Sequence, residues 1–197
     1  MSCLLTQNLI ISDCKAIPQG GLTGRIWLGN FTTFKESTLT LGSDGEITAI
    51  APESGETLLY RIEVPNRGAL SVETPFQANE DGVSGVQHVV NLLISDLSMA
   101  MKNSLATLLN FNKVIAIVET DDYNIGGDGD TAKPAYVLFG ISKGLVATNF
   151  NNQLNDASKG GAIQLTLTTP IGVELNQATN VDMTKAEIEA LESVAGD

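Results

Sequence analysis

Apolar and polar residues alternate along most of this chain, and Gly, Pro or Asn-Asp clusters interrupt the alternation at short intervals. A period of two marks half-buried strands. Residues 82–97, GVSGVQHVVNLLISDL, show it well: Val86, His88, Val90, Leu92 and Ile94 share one face, while Gln87, Val89, Asn91 and Leu93 share the other. GRIWLGNF (24–31) and STLTLGS (37–43) are β-rich, and the Ser-Asp-Gly turn after them leads into a short strand. In ETLLYRIEV, Tyr60, Ile62 and Val64 oppose Leu59, Arg61 and Glu63. PNRG is a turn tetrad, and ALSVETPFQ resumes the alternation with Leu70, Val72 and Phe76 on one face. AYVLFG, GLVATNF and AIQLTLTT follow the same rule. NFNKVIAIVET differs, because its nearly unbroken apolar run predicts burial on both faces.

Two stretches switch to helical spacing. Leu97, Met101, Leu105 and Leu108 form a stripe that predicts a central helix over about 97–109. Near the C-terminus, Thr184 and Glu187 have the spacing of a capping box, with Ile188, Leu191 and Val194 along one side of a short helix. The expected fold is mainly β, a sandwich or open barrel of about 8–10 strands with a flanking central helix and a short C-terminal helix. The expected organisation is an N-terminal arm (1–22), a β domain (23–175) with a hairpin at about 70–92, and a C-terminal extension (176–197).

Charge narrows the function classes. The 197 residues carry 23 acids against 11 bases, a net of -12. From Glu119 onward there are 12 acids, four lysines and no arginine. Binding to nucleic acid through phosphate neutralisation needs clustered cations, and none appear, so DNA should not be gripped. The same acidity disfavours anionic membranes. Charged residues make up only 17%, against roughly 25% in an average soluble protein, so much of the surface is neutral and polar. Such faces meet other subunits at small desolvation cost. No stretch nears the ~20 continuous apolar residues of a membrane-spanning helix. The N-terminus lacks signal-peptide features, and the expected site of synthesis is a cytoplasm.

Candidate chemistry is sparse. His88 is the only histidine, and it lies in a strand with no Gly-x-Ser-x-Gly elbow or other partner to make it a general base. The reading is packing or edge hydrogen bonding. Asp121, Asp122, Asp128 and Asp130 crowd one Gly-rich loop but depart from a calcium-loop pattern, so the expectation is a solvated loop with no metal. Cys3 and Cys14 are either two free thiols or a local disulfide pinning the N-terminal arm. Trp27 reads as core or inter-subunit packing. No catalytic residue, cofactor or metal site is expected, and the chain is not expected to be an enzyme.

The opening MSCLLTQNLIISDCKAIPQGGLTGRIWLGNF resembles the start of a group of small virion proteins of tailed bacteriophages, in Met1, Ser2, Cys3, Cys14, Gly20, Gly21 and Leu22. NKVIAIVETDDYNIGGDG and AYVLFGISKGLVATNF are similar to the same group's strand, Gly-rich turn, strand and G-x-x-x-GL segment, here Gly140, Lys143, Gly144 and Leu145. GGAIQLTLTT resembles its final alternating strand. The pattern is similar to the phage tail-tube fold. The resemblance implies a virion subunit that forms rings, usually hexameric, stacked into a tube through which DNA passes without specific binding. Its implied partners are itself and other tail proteins: sheath if the tail contracts, tape measure, terminator and baseplate. Its implied location is the virion tail after assembly in the host cytoplasm. A head-tail connector, a tail terminator or another ring-forming virion component is the alternative, and a ligand-binding β-sandwich a more distant one. Stacking needs a projecting element. The hairpin bearing Gln77, Asn79, Glu80, Asp81, Gly82, Ser84, Gly85 and His88 is expected to make the contacts between subunits or rings.

Overall fold

A computed structural model describes residues 22–43, 45–53, 58–64, 69–78, 84–94, 103, 113–120, 135–152, 163–170 and 179–192. Among the described residues the fold is mainly β, in two principal sheets with two short helices, and Asn103 is helical outside them. In chain order the elements are β1 (Leu22–Asn30), α1 (Phe31–Glu36), β2 (Thr38–Leu41), β3 (Ile47–Ala51), β4 (Leu59–Glu63), β5 (Leu70–Glu73), β6 (Phe76–Ala78) and β7 (Ser84–Val86). They continue as β8 (Val89–Ile94), β9 (Val114–Thr120), β10 (Ala135–Phe139), β11 (Val146–Asn152), β12 (Ile163–Thr168), β13 (Thr179–Val181) and α2 (Lys185–Glu189). A seven-stranded sheet has the order β2-β3-β13-β10-β9-β1-β4, a four-stranded sheet the order β11-β12-β8-β5, and β6 and β7 pair as a separate ribbon.

Strands outnumber the expected 8–10 for a local reason. ALSVETPFQ reads as one run but is interrupted at Thr74-Pro75, where proline has no N–H for a ladder. Opposite it, the run around His88 divides into β7 and β8. The thirteenth strand, β13, has three residues, too few to show a period. The central-helix stripe at 97–109 lies outside the described residues apart from Asn103, which is helical.

Two apolar layers hold the structure. The first lies between the sheets: Ile26 and Leu28 of β1 and Val114, Ala116 and Val118 of β9 pack with Val90, Leu92 and Ile94 of β8 and Ile163, Leu165 and Leu167 of β12. The second covers the opposite face of the seven-stranded sheet, where Trp27, Ile115, Ile117, Tyr136, Leu138 and Val181 meet Phe34 of α1, Met183 ahead of α2, and Ile188 of α2. β9 is therefore buried on both faces from Val114 through Glu119, as its unbroken apolar run predicts. Removing that much hydrocarbon from water, at roughly 25 cal/mol per Å², is the main driving force for the arrangement.

β13 is the strand between β3 and β10, and among the described residues it is the only strand that ties the β2–β3 hairpin to the sheet. α2 follows with both halves of its capping box formed: Thr184 Oγ1 accepts from the Glu187 N–H, and the Glu187 carboxylate accepts from the Thr184 N–H at 2.7 Å. The helix α1 had no comparable sequence signature. Its cap residue Asn30 makes no side-chain hydrogen bond, and its first turn has no acid. Burial of Phe34 holds it in place.

Candidate functional site: the outward face of the four-stranded sheet

One face of the four-stranded sheet packs on the core, and strand register defines the other. Residues directly opposite in antiparallel strands share a face. The pairs Asn149↔Thr166, Thr166↔Asn91 and Asn91↔Ser71 therefore make one transverse row across all four strands. Side chains link it: Thr166 Oγ1 donates to Asn91 Oδ1 at 2.9 Å, and Asn91 Nδ2 donates to Ser71 Oγ at 3.3 Å. A second row is Val146, Thr168, Val89 and Glu73, and a third is Asn151, Gln164 and Leu93. None of these residues is buried. Glu73 is the single ionisable group among them, and there is no lysine or arginine. This face presents neutral amides, hydroxyls and short apolar groups. Among the described residues its edge strands are β5 and β11.

The ribbon continues the same sheet past the sandwich. β5 pairs with β8 from Leu70↔Leu92 to Glu73↔Val89, and β6 pairs with β7 from Phe76↔Val86 to Ala78↔Ser84, all in one register. A bond from the Gln87 N–H to the Pro75 carbonyl (3.0 Å) bridges the interruption in that register. Leu70, Val72 and Phe76 lie on the inward-facing side, where Leu70 is buried but Phe76 is 69% exposed. The ribbon thus carries an apolar residue beyond the layer that covers its neighbours.

The expected contact residues separate. Gln77 pairs with Gly85, and Ser84 with Ala78, in the ribbon. Asn79, Glu80, Asp81 and Gly82 lie outside the described residues, as do Cys3, Cys14 and the acidic loop from Asp121 to Asp130. His88 is buried within the chain. It is 1% exposed, its Nδ1 accepts from the Gly140 N–H at 2.9 Å, and its ring meets Phe139 edge-on at 5.4 Å. The His88 N–H donates to Thr169 Oγ1 at 2.9 Å, and the Thr169 N–H returns to the His88 carbonyl at 3.0 Å. His88 joins the end of one sheet to the β10–β11 turn of the other, inside a single chain.

That turn accounts for the G-x-x-x-GL segment. Gly140 and Gly144 have φ of +83° and +75°, which L side chains rarely adopt, and the Gly144 N–H bonds the Gly140 carbonyl at 2.9 Å. Leu145 then enters the core and exchanges backbone bonds with Val114.

The opposite face has two polar anchors that periodicity did not reveal. Glu119 is 2% exposed and accepts from Thr23 Oγ1 at 2.6 Å and Arg25 Nη1 at 3.2 Å. The Trp27 indole N–H donates to the Glu192 carboxylate. Trp27 is fully buried, so it is core. Among the described residues, no group of three or more His, Cys, Asp or Glu is placed to hold a metal, and no helix is long and apolar enough to cross a membrane. No family model matches the chain, nor does any curated protein or solved structure.

Proposed function

We propose that the chain is a ring-forming structural subunit of a tailed-phage virion, in the first place the tail-tube subunit, and that it acts as a scaffold without catalysis. The carrying observation is the outward face of the four-stranded sheet, which among the described residues has no cationic residue and a strand edge on each side. β5 and β11 run in opposite directions, since three successive pairings between them are antiparallel. Rotation-related copies therefore meet edge to edge as antiparallel partners, and a closed ring removes both edges. The face then lines the channel, where DNA meets hydroxyls and amides and slides without being trapped. The ribbon lies along the channel direction and supplies contacts to the next ring.

Electron microscopy of the purified protein tests this. Rings or tubes with a channel wide enough for duplex DNA are the expected result, and a protein that stays monomeric at high concentration overturns the reading. Rings that never stack favour a connector or terminator. Replacing Gln77 to Gly85 by an Asn-Gly turn leaves the β5–β8 register intact and is expected to give a folded protein that does not polymerise into tubes. Normal polymerisation of that variant removes the ribbon from the stacking contact.

A further inference from the structure

We infer that, around the ring, β11 of one copy pairs with the β5–β6 run of its neighbour in a register slid about four residues toward the ribbon. Asn151 then stands opposite the neighbour's Glu73, and Phe150 lies diagonal to the neighbour's Phe76. This contact presupposes the ring proposed above.

Backbone directions identify what each edge offers. β5 and β6 keep one register from Leu70↔Leu92 to Ala78↔Ser84, so among the described residues they make one continuous edge. The Gln87 N–H bonds the Pro75 carbonyl, so odd-numbered residues of this run turn their backbone groups inward and even-numbered residues turn theirs outward. Proline blunts an edge when its missing N–H lies on the free side. Here the missing N–H lies on the inner side, and Val72, Thr74, Phe76 and Ala78 supply an outer row without proline. On the other edge, the Thr169 N–H bonds the His88 carbonyl, which fixes the alternation through β8 and β12. Asn149 and Asn151, opposite Thr166 and Gln164, therefore bond toward β12, and the backbone groups of Phe150 and Asn152 turn outward. Two such edges match when even-numbered residues face even-numbered ones.

Carrying the transverse row straight across the seam would set Asn149 opposite the neighbour's Ser71. That arrangement needs upright strands, whereas strands in closed sheets tilt by roughly 36° and slide about one residue per strand. Four strands per copy give a slide of about four residues, an even number that keeps every side chain on its face. Strand length selects the direction. Toward the ribbon, all of Val146–Asn152 lies opposite Ala78 to Val72 of the neighbour. In the other direction Asn149 meets position 67, and only Val146 remains opposite β5, which starts at Leu70. Side chains agree with this choice. Phe150 pairs with the buried Leu165 and so lies on the core side, as Phe76 does, yet the two are 39% and 69% exposed. The slide makes them diagonal neighbours, within reach for aromatic rings. The ribbon's first strand thus belongs to the ring, and its tip is left for the next ring.

The test uses the full-length chain with Cys3→Ser and Cys14→Ser as parent, and adds two thiols in each of two versions. One carries Glu73→Cys and Asn151→Cys, the pair that the slid register brings together. The other carries Ser71→Cys and Asn149→Cys, the pair that straight pairing brings together. All four positions are exposed. β5 and β11 stand three strand spacings apart, about 14 Å, so neither version can bridge internally. After assembly and oxidation, the first version is expected to give at least ten times more disulfide-linked multimer than the second on a non-reducing denaturing gel. Equal or reversed yields overturn the slide. Phe76→Ser needs no new thiol and decides the matter if the thiol versions do not assemble. It is expected to raise the concentration for half-assembly into rings at least tenfold while the monomer's urea midpoint stays the same, and unchanged ring formation overturns the slide. If rings form normally and neither thiol version links, this seam is wrong and self-assembly stands. If the parent forms no rings at any concentration, the ring reading falls and the seam falls with it.

Discussion

The two sheets are built from strands of similar length and almost wholly antiparallel pairing, yet they do different work. In the seven-stranded sheet β9 is buried on both faces over VIAIVE. In the four-stranded sheet β12 alternates between buried and half-buried along IQLTLT. The first sheet has the second sheet on one side and α1, Met183 and α2 on the other. Among the described residues, the second has a covering layer on one side only. The difference separates two demands. A two-sided sheet spends nearly every position on stability, whereas a one-sided sheet leaves half its positions free to serve an assembly.

The largest effect should come from the doubly buried strand. Ile117→Ala removes a fully buried side chain from the outer core and is expected to cost about 2–5 kcal/mol, read as a lower urea midpoint. A cost below about 1 kcal/mol would mean that α1 and the C-terminal segment do not truly seal that face. Next comes the joint between sheets. His88→Leu keeps apolar bulk but takes away the acceptor of the buried Gly140 N–H, with an expected loss of about 1–3 kcal/mol. His88→Asn offers an oxygen near the position of Nδ1 and should recover part of it. If both variants lose equally, ring packing against Phe139 is what matters there.

How much of this was legible follows from the same contrast. Alternation is a property of single strands facing one core, so the buried set Val86, His88, Val90, Leu92 and Ile94 could be read directly from the sequence. The mainly β character and the C-terminal capping box were equally local. β13 was not legible. Three residues have no measurable period, and their role is set by β3 and β10, over a hundred and about forty residues away in sequence. The same holds for Glu119, whose partners Thr23 and Arg25 are more than ninety residues distant. Of the candidate site, the residues were visible as polar alternates, but the rows they form depend on register, which no single strand reveals. His88 is the only histidine, and its hydrogen bonds to Thr169 and Gly140 depend on residues more than fifty positions away.

A smaller effect is expected at the start of α2. Thr184→Ala loses the cap to the Glu187 N–H at an exposed helix end and should cost about 1 kcal/mol. Because this helix closes the two-sided sheet, the loss should appear in the global unfolding transition. A change confined to local fraying, seen as faster amide exchange in 185–192 with an unchanged midpoint, would show that the segment opens by itself.

The smallest effect on folding and the sharpest test of the comparison coincide at Thr166, in the middle of the outward face. Thr166→Lys ends the hydrogen bond to Asn91, but Asn91 is only half-buried, so water can replace the lost donor. The stability change should stay within about 0.5 kcal/mol, the range of ordinary surface substitutions. The same lysine at Ile117 would put an unpaired charge in the core and prevent folding. If the outward face lines a channel, Thr166→Lys also repeats one cation around every ring. Its tubes should then retain duplex DNA at low salt and release it as salt rises, with log affinity falling by roughly 0.9 per log unit of salt for each phosphate neutralised. Wild-type tubes should retain none. Retention that is equal for wild type and variant would place the DNA-facing surface elsewhere, and a variant that unfolds would mean that this face is covered after all.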